Sequence, residues 1–110
     1  MNYTYYSIYK DKGLSERVST FELQTFLDDQ PELEAIGPFA YKENADFPFF
    51  RMNLLLANSP DSWNENDTSP EYTNLLTVVL GKVELGDERP FKLLQRIATR
   101  LDWELVDDHA

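Results

Sequence analysis

The chain has 110 residues and a mass of 12.8 kDa, which suits one domain, because two domains of half this length would each bury too small a core. It carries 20 Asp and Glu residues against 10 Lys and Arg residues, and the net charge of −10 disfavours direct binding to nucleic acid or to an anionic membrane. The absence of cysteine excludes disulfides, thiolate nucleophiles and cysteine metal clusters. We therefore expect residues 1–110 to form a single domain that is stabilised by packing.

The first predicted element is a strand over residues 3–9. Tyrosine, threonine and isoleucine dominate this segment, and such side chains suit a pleated surface. The alternation of a strand places Tyr3, Tyr5 and Tyr9 on one face.

The first helix is predicted to begin at Ser19. Ser19 and Glu22 supply the Ser-x-x-Glu capping box, Val18 and Leu23 add a hydrophobic staple, and Pro31 ends the helix. The predicted apolar anchors of this helix are Phe21, Leu23, Phe26 and Leu27.

Three strands are predicted in the middle of the chain. Residues 33–41 form a short strand that Gly37 and Pro38 interrupt, so an edge strand or a bulge is expected there. Residues 47–57 alternate in the manner of a strand. Residues 72–84 are apolar on both faces, which indicates a central strand.

A second helix is predicted from Asp87, which is the expected N-cap, with Pro90 in the first turn. Residues at three- and four-residue intervals define its core face: Phe91, Leu94, Ile97, Ala98 and Leu101. Residues 103–106 form a short last strand. This order predicts a two-layer α+β fold, in which two helices pack on one antiparallel or mixed sheet of four to five strands.

The inventory of side chains disfavours an enzyme. The only histidine is His109, next to last in the chain, where a general base is poorly positioned. The four glycines form no phosphate-binding loop, and the acidic loop does not match the spacing of a calcium site. We therefore expect no catalytic residues, no cofactor and no metal.

The acidic residues are clustered, which favours a cationic protein partner over a nucleic acid or a membrane. A polar loop over residues 58–71 is the first candidate surface, with Trp63 as a possible anchor unless its ring folds back on the core. A solvated, purely solubilising loop is the alternative interpretation. The candidate partner-binding residues are Asp61, Trp63, Glu65, Asp67 and Glu71, and the secondary candidates are Asp28, Asp29, Glu32 and Glu34.

A basic stripe lies on the second helix and comprises Arg89, Lys92, Arg96 and Arg100. An acidic partner or RNA would suit such a stripe, but a charged, solvent-facing helix side that pairs with acids such as Glu88 is the favoured interpretation. The strand tyrosines are interpreted as packing residues. The alternatives are a platform on which a sugar or a base stacks, or a contact between two subunits.

The assembled features resemble the small, acidic, cysteine-free α+β immunity proteins that accompany secreted bacterial toxins. The resemblance rests on size and charge, on the strand-helix opening over residues 3–27, on the acidic runs at 28–34 and 61–71, and on the closing segment 97–106. It implies a stoichiometric, non-catalytic inhibitor that binds a basic toxin.

Two other functions remain open. The chain is alternatively a structural subunit or a homo-oligomer, assembled through sheet-face tyrosines or a strand edge, so that a monomer and a homodimer are both compatible with the sequence. An acidic DNA mimic is the third hypothesis. The N-terminus has neither a basic start nor a long aliphatic run, so we expect a cytoplasmic protein.

Overall fold

The computed structural model describes residues 3–57, 71–81 and 87–108. In these ranges two helices and eight strands follow one another along the chain. Their bounds are β1 (Thr4–Tyr9), β2 (Val18–Ser19), α1 (Thr20–Asp28), β3 (Leu33–Gly37), β4 (Ala40–Glu43), β5 (Phe50–Leu55), β6 (Tyr72–Thr73), β7 (Leu75–Leu80), α2 (Arg89–Leu101) and β8 (Glu104–Asp107).

Six of the strands form one antiparallel sheet in the order β3-β4-β5-β7-β1-β8, while β2 and β6 pair separately. The α+β class is confirmed, and the sheet is antiparallel throughout. It has more strands than the four to five expected, because residues 33–43 form a hairpin of two strands. The central place expected for the strand after residue 72 is confirmed by β7, which lies between β5 and β1.

The β3-β4 hairpin turns at Pro38 and Phe39. The predicted edge position is confirmed, since β3 is the first strand of the sheet. The predicted single strand over 33–41 is corrected to two strands, since Pro38 lacks a backbone N–H for the ladder and the chain reverses there. The register also shifts between Ala35 and Gly37.

The predicted strand over residues 72–84 is divided at Asn74. Tyr72 and Thr73 pair with Ser19 and Val18 in the small sheet, whereas Leu75 enters the main sheet opposite Leu55. The buried side chain of Asn74 is hydrogen-bonded outside either ladder, which explains the break. Residues 82–86 lie outside the described residues.

Helix α1 has the predicted N-cap, because the Glu22 N–H donates to Ser19 Oγ at 3.3 Å. Its buried residues are Thr20, Leu23 and Leu27, whose spacing of three and four marks the core side. Phe21 was predicted to be an anchor and is instead 76% exposed. It lies two residues before Leu23, which places it about 200° around the helix from that core residue.

Helix α2 begins one residue later than predicted, with Glu88 at the N-cap position. Asp87 nevertheless contributes, because its Oδ1 accepts the Arg89 N–H at 3.1 Å. Pro90 lies in the first turn as expected. Phe91 was predicted to be a core residue and is exposed on the helix surface, while Leu93 is buried in its place.

The two faces of the main sheet differ. Both helices pack on one face, which we call the covered face, and the main core lies between them and the sheet. On the other face, the open face, the described residues form only a small buried cluster at one end, where Leu14 covers Tyr9, Leu55 and Leu75. Sheet residues in the main core include Ile8, Phe50, Met52, Leu54, Leu76, Val78 and Leu80.

Candidate protein-binding surface

Glu71 is the member of the predicted acidic loop that the structure describes. It is exposed, and its carbonyl oxygen accepts the Thr20 N–H at 3.0 Å, so it lies beside the first turn of α1. The other predicted loop residues, Asp61, Trp63, Glu65 and Asp67, lie outside the described residues. Their role in binding stays a prediction.

The chain is fixed on both sides of this loop. Before it, Ala57 exchanges two hydrogen bonds with the Asn74 side chain: its N–H donates to Oδ1 at 2.8 Å and its carbonyl accepts from Nδ2 at 2.9 Å. After it, the hydroxyls of Thr20 and Thr73 are bonded to each other at 2.7 Å in a buried position. The described residues on either side of the stretch 58–70 are therefore anchored, to the sheet before it and to α1 after it.

Asp28 and Asp29, the first two of the secondary candidates, lie at the C-terminal end of α1. The Tyr41 hydroxyl donates to Asp28 Oδ1 at 2.9 Å, and burial together with this carboxylate raises the pKa of Tyr41. Asp29 is the C-cap residue, and its side chain is exposed. Asp28 thus holds α1 against β4, whereas Asp29 faces solvent.

The other two acids of that set are ion-paired within the chain. Glu32 accepts from Arg96 at 3.0 Å, and this hydrogen bond lowers the pKa of the Glu32 carboxyl. Glu34 lies 3.8 Å from Lys42, its cross-strand neighbour. Both carboxylates are partly neutralised, so residues 28–34 do not present four equivalent free charges.

The cations of α2 also have intramolecular partners. Arg89 binds Asp87 at 2.8 Å, and Lys92 lies 3.5 Å from Glu88, one helical turn away. Arg96 binds Glu32, and the Arg100 guanidinium lies 5.6 Å from the centre of the Phe26 ring. This pattern agrees with the interpretation of the basic stripe as a charged helix side that stabilises the fold.

A different group of residues remains available for a partner. We call it the α1 surface, and it consists of Phe21, Glu22, Asp29 and Glu71. Around the helix axis, Phe21 and Asp29 flank the direction opposite the core side, and Glu22 lies next to Asp29. Within the described residues, no Lys or Arg forms an ion pair with Glu22, Asp29 or Glu71. The α1 surface therefore combines an exposed aromatic ring with uncompensated negative charge.

A groove of about 150 Å³ lies next to the α1 surface, between α1 and the last turn of α2. Its apolar floor includes Val18, Leu23 and Leu101, and its polar rim is formed by Glu22 and Arg100. The groove gives the Glu22 side of the α1 surface a neighbouring concave apolar region, which is the shape that interface anchors fill.

The open face carries a second group of exposed aromatic residues. Tyr3, Tyr5 and Phe49 are 39%, 41% and 38% exposed. The Tyr3 and Phe49 ring centres are 5.5 Å apart, and the Arg51 guanidinium lies 4.3 Å above the Phe49 ring. Arg51 also forms a short ion pair with Glu43 at the end of β4. Tyr3, Tyr5 and Tyr9 share this face, as predicted, and Tyr9 is buried there under Leu14.

Sequence reasoning missed two residues that shape the candidate surface. Phe21 had a detectable signal, since it does not share the spacing of Leu23 and Leu27. Asn74 had a weaker one, a polar residue in an apolar strand. Its partner Ala57 is 17 residues away, and no local pattern connects the two.

The described residues include no group of three or more His, Asp or Glu side chains placed to hold a metal ion. Neither α1 nor α2 is long and apolar enough to cross a membrane. Comparisons with protein-family models, with curated proteins and with solved structures find no match to this chain.

Proposed function

We propose that the chain is a non-catalytic binding protein of the immunity type, which inhibits a basic protein such as a bacterial toxin in the cytoplasm. The observation that carries this proposal is the α1 surface, where Phe21 is 76% exposed and Glu22, Asp29 and Glu71 form no ion pair with a described Lys or Arg. Exposed aromatic residues are typical interface anchors, and surrounding charge of one sign steers a partner of the opposite sign.

The electrostatics of the rest of the chain supports a cationic partner. Each cation of α2 contacts an acid or an aromatic ring of the same chain, so α2 presents little positive charge for an acidic ligand. The acids of the α1 surface have no such partner among the described residues. The predicted loop acids Asp61, Glu65 and Asp67 precede Glu71 in sequence and add charge of the same sign.

The test begins with affinity capture by the tagged chain from a lysate of the organism that encodes it, at low and at high salt. Mass spectrometry identifies what is captured, and the association rate of the purified partner is then measured as a function of ionic strength. We expect a stoichiometric basic protein whose association slows as salt rises. A captured protein that is acidic, or whose association is independent of salt, overturns the proposal.

Two variants test the α1 surface itself. Phe21→Ser removes the ring and is expected to raise the dissociation rate, whereas Glu22→Gln combined with Asp29→Asn and Glu71→Gln is expected to slow association. Phe91→Ser is the matched control, because it removes an exposed ring of α2. Equal losses for Phe21→Ser and Phe91→Ser would argue against the α1 surface.

The loop prediction has its own variant. Replacing Asp61, Glu65, Asp67 and Glu71 by Asn or Gln is expected to slow association and to flatten its salt dependence, and Trp63→Ser is expected to speed dissociation. An unchanged association rate in the four-acid variant would contradict the loop assignment. Competition with duplex DNA for the captured partner distinguishes a DNA mimic, which DNA displaces, from an inhibitor that binds elsewhere.

A further inference from the structure

Strand β8 is the last strand of the main sheet, with β1 on one side and no described strand on the other. The Asp108 N–H donates to the Tyr5 carbonyl at 3.0 Å, so these two residues form a hydrogen-bonded pair beside the β1-β8 ladder. Hydrogen-bonded and non-hydrogen-bonded pairs alternate between antiparallel strands. The pair of Ile8 and Leu105 is therefore non-hydrogen-bonded, and the N–H and C=O of Leu105 point away from β1, toward the free edge of the sheet.

A groove of about 590 Å³ lies between β8 and α2. On the α2 side it is lined by Ala98 and by Phe91, whose ring is 43% exposed. On the β8 side it is lined by Leu105, which packs against the main core and so lies on the covered face. Alternate side chains of a strand point to the same face. A strand added beside β8 would therefore direct every second side chain into this groove.

Trp103 also lines the groove, and it carries an unsatisfied polar atom. The residue is 6% exposed, and its buried Nε1–H has no hydrogen-bond partner among the described residues. Buried donors are satisfied in the great majority of cases, so a missing acceptor requires an explanation. A peptide in the groove supplies carbonyl oxygens that can accept this hydrogen bond, whereas a purely aliphatic ligand does not.

The charges along this edge favour a cationic occupant. Residues 102–108 include four acids and no Lys or Arg, and none of the described residues that line the groove is Lys or Arg. Asp102 is partly neutralised, since Lys10 Nζ lies 3.4 Å from its Oδ2, but Glu104 forms no ion pair with a described residue. The other edge strand, β3, has Glu34 as its one charged residue. Pairing β8 with β3 or β8 of a second copy would therefore bring acids together.

We propose that β8 binds an extended basic peptide segment, which joins the main sheet as an additional antiparallel strand. The segment residue opposite Leu105 exchanges two backbone hydrogen bonds with it and places its side chain in the groove. The next residue of the segment lies opposite Glu104, which is paired with Tyr9 and so belongs to the open face. A segment in which apolar residues alternate with Lys or Arg therefore fits both faces of the edge.

A synthetic peptide in which Lys and Val alternate is the probe, with both of its ends blocked. It is titrated into the purified, nitrogen-15-labelled chain, and the amide and indole N–H signals are followed by NMR. We expect the Leu105 amide and the Trp103 indole signals to shift, with a dissociation constant of about 0.1–1 mM. A peptide in which Glu and Val alternate is expected to cause no shift. The absence of shifts at β8 with the Lys peptide, or equal shifts with both peptides, would overturn the proposal.

Two methylated forms of the Lys peptide test the strand geometry. Methyl groups on the Val backbone nitrogens remove the N–H groups that face β8, and we expect them to weaken binding about tenfold or more. Methyl groups on the Lys backbone nitrogens remove N–H groups that face solvent, and we expect a much smaller effect. Equal losses with the two methylated peptides would show that the peptide does not pair with β8.

Charge reversal on the chain tests the recognition of the cations. Glu104→Lys is expected to weaken binding of the Lys peptide about fivefold or more, whereas Glu22→Lys is expected to leave it unchanged. The two variants change the net charge equally, so equal effects would mean attraction to the whole chain and would overturn the proposal. The outcome is independent of the proposed inhibitor function, because β8 is the edge of the sheet opposite β3, which α1 contacts.

Discussion

A Cβ atom added to Gly81 would lie 2.8 Å from Phe49 Cβ and 3.3 Å from Phe49 Cγ. The two residues are also joined by a backbone hydrogen bond, in which the Gly81 N–H donates to the Phe49 carbonyl at 3.1 Å. The Phe49 ring therefore has its place next to Tyr3 and Arg51 only because residue 81 has no side chain.

Gly81→Ala is expected to destabilise the chain by about 1–3 kcal/mol, since either the Phe49 side chain or the β5 backbone must shift. Urea unfolding measures the loss. Gly37→Ala is the matched control, because nothing lies within 4 Å of a Cβ atom at that turn. It is expected to leave stability unchanged or to raise it by up to about 1 kcal/mol. Equal effects of the two substitutions would contradict the close approach at Phe49.

Asn74→Ala removes both hydrogen bonds between the Asn74 side chain and Ala57. We expect a loss of about 1–3 kcal/mol in the free energy of unfolding, because the Ala57 backbone groups lose their partners. Asn74→Asp is also expected to destabilise, since it retains the acceptor but places a carboxylate against the Ala57 carbonyl. Urea unfolding measures both losses.

Asn53→Ala is the control for this prediction. Asn53 is an exposed asparagine of β5, and its substitution is expected to change stability by no more than about 0.5 kcal/mol. A loss at Asn74 no greater than that at Asn53 would mean that the paired hydrogen bonds contribute nothing to stability.

Glu32→Gln tests the ion pair that joins α2 to the segment after α1. The hydrogen bond from Arg96 lowers the pKa of Glu32 in the folded chain. Its stabilising contribution is therefore complete above the unfolded pKa of about 4.3 and is lost as pH falls through the lower folded value. We expect the variant to be less stable than the wild type at pH 7, by about 1 kcal/mol or less, and the difference to vanish near pH 3.

Urea unfolding at several pH values between these limits measures this convergence. Glu104→Gln is the control, because Glu104 is exposed and forms no ion pair with a described residue. A Glu32→Gln difference that stays constant from pH 7 to pH 3 would show that the lost contact is not a charge interaction.

Tyr41→Phe is expected to make the chain less sensitive to alkaline pH. Burial, followed by the hydrogen bond to Asp28, raises the pKa of the Tyr41 hydroxyl in the folded chain. The resulting stability is complete below the unfolded pKa of about 10 and falls as pH rises above it. At pH 8 the variant should be about 1 kcal/mol less stable than the wild type, and this deficit should shrink by pH 11. A deficit that grows with pH would contradict the assignment.

The elements that the sequence predicts correctly are those whose determining residues lie within a few positions of one another. Ser19 and Glu22 are three residues apart, and their capping box located the start of α1 correctly. Phe21 is predicted to be a core residue because it is large and apolar, although it lies two positions before Leu23 and faces away from the buried side. Phe91 has the spacing to Leu94 that is expected of a core residue, but it lies at the edge of the buried side, where its ring is 43% exposed and 6.3 Å from the Tyr6 ring.

The parts that sequence did not predict depend on distant pairings. The break at Asn74 follows from a contact with Ala57, and the partial neutralisation of Glu32 follows from Arg96, 64 residues away. From the sequence alone, the four acids of the run at 28–34 are equivalent. Only the fold distinguishes Asp29, which faces solvent, from Glu32 and Glu34, which have cations beside them.

The anchoring of Ala57 by Asn74 and of Glu71 by Thr20 has a consequence for how such a chain can change. Both ends of the intervening stretch are secured by contacts outside it, and the contacts described here between β5, β7 and α1 do not involve that stretch. Insertions, deletions and wholesale replacement are therefore expected to be tolerated there. One scaffold can then acquire recognition of a new partner by exchanging a single stretch of chain.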